Sequence, residues 1–349
     1  MVSNNIYLRH TNALSQASVL NRQDLRELDE SSSIHHQNEN SHHVRAGFKN
    51  YYVNHNGQIL SSHVNPSIKI AATQCVSQTS HYKAAQMIGL MVKHMSYNVF
   101  SGIATRGHGV GIFCSNEKVT VFPEFYSLRN KAGCGSSCSG SCRSTCSSDG
   151  RKFEDLDGVT NNLSGVREDR INCNNFAGAE NILVHEFAHQ VYNYMPSSDH
   201  NRIDYVYNYA NQHHIWTVGT YAMTNPSEFW AEATQAFFHV TGRSDVTGGL
   251  NMCNNGQYVC RSESEGRAYL QKRDPWLFEE LSKVYTNSQP NTPSGLTACG
   301  YRGAYRSPGG KLRRIFRKNG KRWGYENRRG RGGGMGSSSA DTSDDLSDS

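Results

Sequence analysis

The chain has 349 residues, which is enough to bury a full hydrophobic core. It contains no apolar run of about 18 residues, so we expect no membrane-spanning helix. The net charge of +6 is local: the segment 302–331 holds twelve basic residues against one acid, whereas residues 1–301 hold 24 basic and 25 acidic residues. The charge therefore excludes no class of partner for the main body of the chain.

Composition divides the chain into three parts. Residues 1–43 are polar and rich in Ser, Asn and His, which predicts a disordered leader, with adventitious metal binding by its histidines as the alternative. Residues 44–289 carry the regular hydrophobic patterns and are predicted to form one domain. Residues 290–349 turn to Pro, Gly, Ser and Arg and end in an acidic Ser/Asp segment, which predicts a disordered basic tail.

The first half of the domain is predicted to combine short strands with one amphipathic helix. Apolar spacing predicts strands Phe48–Val53 and Gln58–Leu60 around an Asn-Gly turn, a helix over Ser80–Met95, and a hairpin that pairs Val110–Phe113 with Val119–Phe122. The methionines of the helix recur on one face, and we interpret them as core rather than as contacts to a cofactor. Two late helices are predicted over Glu263–Leu270 and Pro275–Val284.

Four of the ten cysteines recur every fourth residue within Gly133–Gly150. They are Cys134, Cys138, Cys142 and Cys146. The Gly and Ser residues between them oppose a helix, so we predict two disulfides that pin a surface loop, with a thiolate metal cluster as the alternative. Cys253 and Cys260 bracket a polar loop and are predicted to form a local bridge.

Cysteine usage also bears on the cellular compartment. An even, high cysteine count is typical of proteins that mature under oxidising conditions, which predicts secretion. The start of the chain points the other way, because Met1–Leu20 lacks the apolar stretch of a signal peptide. A signal peptide encoded upstream of this start would reconcile the two observations. We therefore expect an extracellular protein whose cysteines are mostly paired.

The strongest chemical signal is the stretch Ala179–His189, which contains His-Glu-x-x-His. On a helix, His185 and His189 lie one turn apart on the same face, where both imidazoles can bind one metal ion. Zinc is the metal that this pattern typically holds, and the intervening Glu186 is then a general base. The alternative is a helix whose histidines are satisfied structurally. The zinc interpretation requires a third ligand from elsewhere in the chain.

The spacing of nearby residues excludes some sources of a third ligand. A metzincin needs His at position 195 and Gly at position 192, but these residues are Met195 and Tyr192. Asp199 and Asp204 come next, and an aspartate there would resemble the aspzincins, but the Gly-Thr pair before it is missing. The remaining candidates are two glutamates on the next strong helix.

That next helix is predicted to begin after Asn225, which is a good N-cap, with Pro226 in its first turn. Glu228 and Glu232 lie one turn apart on it, so one can bind zinc while the other orients a ligand histidine. The alternative for Glu228 is a capping-box glutamate at the third helical position, and the alternative for Glu232 is a solvated carboxylate. Glu232 lies between Phe229, Ala233 and Ala236, close to the buried side of the helix, which favours the metal interpretation for the pair.

Two motifs together resemble a known family. Glu180–His189 (Glu-Asn-Ile-Leu-Val-His-Glu-Phe-Ala-His) followed by Tyr221–Glu232 (Tyr-Ala-Met-Thr-Asn-Pro-Ser-Glu-Phe-Trp-Ala-Glu) resembles the catalytic domain of anthrax toxin lethal factor and its relatives, which are gluzincin-type metallopeptidases. The resemblance spans roughly residues 44–286 and is close only at these motifs. It implies an α+β, zincin-like fold with a small upstream β-sheet and a His-Glu-x-x-His helix followed by a glutamate-bearing helix. The cysteine-rich loop and both polar ends depart from the family.

Carried over residue by residue, the resemblance implies a role for each part of a zinc metalloendopeptidase. The implied roles are binding of one zinc ion by His185, His189 and Glu228, general-base catalysis by Glu186, stabilisation of the transition state by Tyr221, and an outer contact by Glu232. The expected substrate is a protein or peptide. The family's substrate-binding parts are not visible in this sequence, so neither the substrate nor the cleavage preference is implied.

Two other functions fit parts of the sequence. One is a catalytically silent module that keeps zinc, although intact Glu186 and Tyr221 speak against a decayed site. The other is a protein that binds nucleic acid or another polyanion through segment 302–331, where an Arg-Gly run lies near Trp323 and Tyr325. Salt-dependent binding of this tail to RNA would favour the second function, whereas peptide cleavage by the domain would favour the enzyme. The sequence indicates no oligomeric state.

Overall fold

The computed structural model describes residues 47–147, 150–172 and 180–297. The predicted leader and the tail beyond residue 297 lie outside these residues, as do Cys173 and Cys299. Residues 290–297 still pack on the domain, because the Arg267 guanidinium donates to the carbonyl oxygens of Pro290 and Thr292 at 2.8 and 2.6 Å. The packed part of the chain thus runs past the boundary predicted at residue 289.

Six strands form one mixed sheet: β1 Lys49–Val53, β2 Ile59–Leu60, β3 Ile68–Ala72, β4 Gly109–Phe113, β5 Gly158–Thr160 and β6 Leu163–Arg167. Their order across the sheet is β2-β1-β3-β4-β6-β5. The central strands β3, β4 and β6 run parallel, whereas β1 and β5 pair antiparallel with their neighbours. The sheet is larger than the small sheet that the sequence predicts, because the predicted strands β1, β2 and β4 are joined by three further strands, β3, β5 and β6.

The two predicted hairpins have opposite outcomes. β1 and β2 pair antiparallel within one residue of the predicted bounds, so the first hairpin is confirmed. The second is wrong, since Val110–Phe113 falls in β4 but Val119–Val121 is a turn of 3-10 helix. β4 pairs with β3 on one edge and with β6 on the other, which leaves no edge for a further strand. Val119 and Phe122 instead pack with Phe125 in a hydrophobic core cluster.

The helices of the described residues are α1 Gln78–Val92, α2 Tyr97–Arg106, α3 Glu168–Ile171, α4 Ile182–Tyr194, α5 Ser197–Gln212, α6 Pro226–Phe237, α7 Glu263–Arg273 and α8 Pro275–Thr286. A small hairpin of β7 Met252–Cys253 and β8 Tyr258–Val259 separates α6 from α7. The patterns predict α1, α4, α6, α7 and α8 but not α2, α3 or α5. α5 is missed because it is mostly polar and buries a narrow stripe that includes Ile203 and Val206.

No helix described here has the length and apolar character to cross a membrane.

Two hydrophobic cores cover the two faces of the sheet, since neighbouring residues of a strand point to opposite faces. The larger core holds Ile70 of β3 with Phe187 of α4 and Trp230 of α6. The smaller core holds Ala71 of β3 with two segments that are mostly 3-10 helix, residues 119–128 and 153–156. The helices that carry the sequence motifs thus lie on the first face, and the 3-10 segments lie on the second.

Every described cysteine is in a disulfide. The pairs are Cys75–Cys114, Cys134–Cys142, Cys138–Cys146 and Cys253–Cys260. The second and third pairs interlock within the predicted surface loop, so the two-disulfide prediction is confirmed and the thiolate cluster is wrong. The fourth pair is the predicted local bridge. The first pair joins the ends of β3 and β4, and sequence spacing gives no sign of it.

Mass mapping of the natively produced protein under non-reducing conditions is expected to recover these four pairs. The Cα atoms of the pairs lie between 4.9 and 6.1 Å apart, which is within the range that a disulfide spans. Ten free thiols would contradict the pairing and, with it, the prediction of an oxidising compartment.

Candidate metal centre

Helix α4 brings together the two histidines of the sequence motif. Its N-terminus is capped by Asn181, whose side-chain oxygen accepts from the Val184 amide at 3.2 Å. His185 and His189 follow one turn apart, and their Nε2 atoms lie 3.1 Å from each other. Both residues are at most 2% exposed. At this spacing the two buried nitrogens can bind the same metal ion.

Helix α6 supplies the glutamates. Asn225 caps it by accepting from the Glu228 amide at 2.9 Å, and Pro226 occupies the first turn, as predicted. The carboxylate of Glu228 turns toward α4: its Oε2 lies 3.2 Å from Nε2 of His185 and 3.5 Å from Nε2 of His189. The backbone of Glu228 thus takes part in the cap, while its side chain faces the histidines.

The three converging atoms have the spacing of a tetrahedral metal site. Nε2 of His185, Nε2 of His189 and Oε2 of Glu228 lie 3.1 to 3.5 Å from one another. Zinc with bonds of about 2.0–2.1 Å separates its tetrahedral ligand atoms by about 3.3 Å. Oε2 of Glu228 is also buried without a hydrogen bond, which is costly unless a cation satisfies it. These residues therefore fit a metal ion, and their nitrogen and oxygen donors suit zinc.

Three further polar side chains contact the other ring nitrogens of the histidines. Oε1 of Glu232 lies 3.4 Å and Nε2 of Gln235 lies 3.1 Å from Nδ1 of His185. Oγ of Ser227 lies 2.9 Å from Nδ1 of His189. A histidine that binds metal through Nε2 donates its Nδ1–H, and the Glu232 carboxylate and the Ser227 hydroxyl can accept it, which fixes the orientation and tautomer of the ring. Sequence patterns single out neither Ser227 nor Gln235, although Gln235 lies two helical turns after the first glutamate of α6, on the same face.

The electrostatics of this cluster favour a bound cation. Glu186, Glu228 and Glu232 are each at most 2% exposed. Burial alone would raise the pKa of Glu228, but the neighbouring His189 and His185 lower it to about 2. Burial alone would lower the pKa of His185, but the carboxylates of Glu228 and Glu232 hold it well above its usual range. A divalent cation held by the two imidazole nitrogens and Oε2 of Glu228 would stabilise the buried Glu228 carboxylate in place of the imidazole protons.

Glu186 of α4 is hydrogen-bonded to the two strands β5 and β6 at one edge of the sheet. The hydroxyl of Thr160 on β5 donates to Oε2 of Glu186 at 2.7 Å, and the hydroxyl of Ser164 on β6 donates to its backbone carbonyl at 2.9 Å. Burial raises the pKa of the Glu186 carboxyl, although the charges of the neighbouring imidazoles oppose the shift. The close approach of β5 requires glycine, because a Cβ at Gly158 would lie 2.7 Å from Oε1 of Glu186.

Tyr221 completes the predicted set. It begins a turn of 3-10 helix just before α6, and its ring stacks beside the His185 ring with the centroids 6.0 Å apart. Burial and then the charge of Glu228 raise the pKa of Tyr221 well above its usual range. The phenol therefore stays protonated at neutral pH and can donate a hydrogen bond. All six side chains that the sequence singles out thus meet in one cluster.

A cavity of about 230 Å³ opens onto this cluster. Among the site residues, His185, Glu186 and Tyr221 line it. The remaining lining comes from Arg151, the segment 155–158, Glu180, Ile182, Arg243 and Val246. The cavity therefore gives a ligand access to Glu186 and Tyr221 beside the histidine–glutamate cluster.

No model of a known protein family matches the sequence, and no curated protein matches it. Among solved structures, the chain is similar to a Pro-Pro endopeptidase from Paenibacillus alvei, with 17% identity and a TM-score of 0.35. The match covers 61% of this chain and 95% of that one. A TM-score of this size establishes neither a shared fold nor a shared activity. The resemblance of the two motifs to the lethal factor family therefore stays a prediction.

Proposed function

We propose that the protein is a zinc metalloendopeptidase. The observation that carries the proposal is the convergence of Nε2 of His185, Nε2 of His189 and the unsatisfied Oε2 of Glu228 beside a cavity lined by Glu186 and Tyr221. Three protein ligands, rather than four, are typical of catalytic zinc sites. One zinc ion is therefore expected, held by these three residues. Glu232 would orient His185 through its contact with Nδ1 of that ring.

The other polar residues of the cavity supply the remaining roles. Zinc bound there would lower the pKa of a water toward neutrality and polarise the scissile carbonyl. Glu186 takes a proton from that water and passes it to the nitrogen of the leaving amine. Thr160 holds the Glu186 carboxylate through Oε2, so the base is in place before a substrate arrives. Tyr221 donates a hydrogen bond to the carbonyl oxygen as negative charge develops on it.

A peptide is the substrate class that the neighbouring backbone supports. β5 is the last strand on its side of the sheet, and among the described strands it pairs with β6 alone. Leu156 and Asp157 just before it, and Gly158 at its start, line the cavity beside Glu186. An extended peptide can add to such a sheet edge through main-chain hydrogen bonds. Pairing there would place a peptide bond next to Glu186.

The rival functions have less support. A catalytically silent zinc module does not require a general base and a hydrogen-bond donor at the cavity, whereas Glu186 and Tyr221 both line it. Polyanion binding depends on segment 302–331, which lies outside the described residues, and stays a prediction. Secretion also stays a proposal, supported by the four disulfides.

Metal analysis of the purified full chain, combined with cleavage of a broad peptide library, tests the proposal. One zinc per chain, and cleavage that a chelator removes and added zinc restores, would support it. A protein that holds zinc but cleaves no peptide would leave the silent module in its place. A protein without zinc would overturn both.

Replacing Tyr221 by Phe is expected to leave the zinc content unchanged and to lower kcat by about tenfold to a hundredfold, because one oxyanion donor is lost while zinc still polarises the carbonyl. Steady-state kinetics on the best library peptide measure the effect. Tyr205→Phe, at an exposed tyrosine of α5, is the matched control and should have wild-type kcat. Equal activity of Tyr221→Phe and the control would remove Tyr221 from the mechanism.

A further inference from the structure

One side of the cavity is formed by a short, mostly irregular segment. Arg151 and residues 155–158 line the cavity, and residues 151–158 are called the cleft wall here. Before β5 begins, the cleft wall has a single turn of 3-10 helix at Phe153–Asp155. Its shape must therefore be set largely by contacts with other parts of the protein.

The side chain of Lys152 fastens the cleft wall to the cystine loop, which is the segment 134–146 with its two interlocked disulfides. Lys152 is only 6% exposed. Its ammonium donates to the carbonyl oxygen of Ser137 at 2.7 Å and to the hydroxyl of Thr145 at 2.8 Å. A buried ammonium is costly without such partners, so Lys152 holds this position only while the cystine loop presents both oxygens.

Backbone contacts reinforce the attachment. Cys146 and Lys152 form an isolated antiparallel bridge. Next to it, the Ser147 amide donates to the carbonyl oxygen of Arg151 at 2.8 Å, and the Arg151 amide donates to the Ser147 hydroxyl at 3.1 Å. The end of the cystine loop therefore contacts Arg151 directly, and Arg151 is the first residue of the cleft wall and lines the cavity.

The cystine loop owes its shape to its disulfides. Cys134 and Cys146 are buried in it, while most of the residues between them are exposed and polar. With so little apolar surface to bury, the loop depends on covalent closure for order. The other anchor of the cleft wall is apolar, since Phe153 and Leu156 pack in the smaller core. The cleft wall is thus held from two sides, one of which depends on the cystine loop.

We propose that the cystine loop is a positioning element for substrate: through Lys152 it holds the cleft wall in the shape that binds the peptide. This inference rests on the proposed peptidase function and assigns a role in it to the cysteine-rich loop. The loop acts on the cleft wall and not on His185 or Glu186, so its loss weakens substrate binding and leaves the metal and the chemical step in place. A loosened wall binds more weakly because binding must then order it.

Lys152→Met is the decisive variant, because it keeps the length and apolar stem of the side chain but removes both hydrogen bonds. We expect KM to rise by about tenfold while kcat and zinc content stay within about twofold of wild type. Hydrogen exchange of amides 151–157, the part of the cleft wall before β5, should become faster in the same variant. The paired replacement Cys134→Ser with Cys142→Ser should shift KM and exchange in the same direction.

The matched control is Cys253→Ser with Cys260→Ser. It removes a bridge between residues 7 apart in sequence, against 8 for Cys134–Cys142, but from the β7–β8 hairpin. This control should keep wild-type KM and wild-type exchange of the cleft wall. If the paired loop variant fails to fold, Lys152→Met decides alone.

The outcomes separate this inference from the peptidase proposal. A wild-type KM and wild-type exchange in Lys152→Met would overturn the inference while the wild-type protein still cleaves peptides. An equal rise of KM in the control variant would also overturn it, since the effect would then be general destabilisation. A wild-type protein that cleaves no peptide would overturn the peptidase proposal and the role in substrate binding together. Exchange of the cleft wall would then still show whether Lys152 holds it.

Discussion

Glu186→Gln is expected to lower peptide cleavage by about a hundredfold or more, the scale of general-base catalysis, while zinc content and fold stay as in wild type. Glutamine keeps the shape of the side chain and can still accept the hydrogen bond from Thr160, which lies 2.7 Å from Oε2 of Glu186. It cannot take up a proton. Because Glu186 is not one of the three converging ligands, its change should leave the metal bound.

Three measurements on the same preparation test this expectation. Metal analysis gives the zinc per chain, circular dichroism gives the fold, and single-turnover cleavage of a library peptide gives the rate of the chemical step. Glu279→Gln, an exposed glutamate of α8, is the matched control for the same chemical change. If Glu186→Gln cleaved as fast as this control, the proposed mechanism would be wrong even with zinc in place.

The part of the site that sequence reasoning finds is the part that local helix geometry determines. His185 and His189 are four residues apart, so a helix places both imidazoles on one face whatever the rest of the fold does. Glu228 and Glu232 share a face of α6 for the same reason. Spacing alone does not say which glutamate binds; the motif resemblance selects Glu228, and its Oε2 lies 3.2 Å from His185 where the nearest Glu232 oxygen meets only the other ring nitrogen, at 3.4 Å.

The part that sequence reasoning misses depends on contacts between residues far apart in the chain. β5 has only three residues, Gly158–Thr160, and its place is decided by pairing with β6 rather than by its own pattern. No sequence pattern distinguishes Thr160, because its role arises only when that pairing brings its hydroxyl to Glu186. The same holds for Lys152, which looks like a solvated basic residue in the sequence but is buried against the cystine loop.

Replacing His185 and His189 together by Ala is expected to abolish tight zinc binding. Two of the three converging donor atoms disappear, and the remaining Oε2 of Glu228 offers a single contact to an ion that usually needs three protein ligands. Glu228→Gln should weaken zinc rather than abolish it, because the amide keeps an oxygen but loses the charge. This separates a ligand from the base, since Glu186→Gln should keep zinc at one per chain.

Zinc-dependent thermal stability gives a measurement of the same site that does not depend on a substrate. A ligand that binds only the folded protein, present at 100 times its Kd, adds about 2.7 kcal/mol to the free energy of unfolding. Added zinc should therefore raise the unfolding temperature of the metal-stripped wild type but not that of the double histidine variant. His213→Ala, at an exposed histidine after α5, should respond like wild type. Stoichiometric zinc in the double variant would place the metal elsewhere. Because every described cysteine is in a disulfide, those cysteines could not be its ligands.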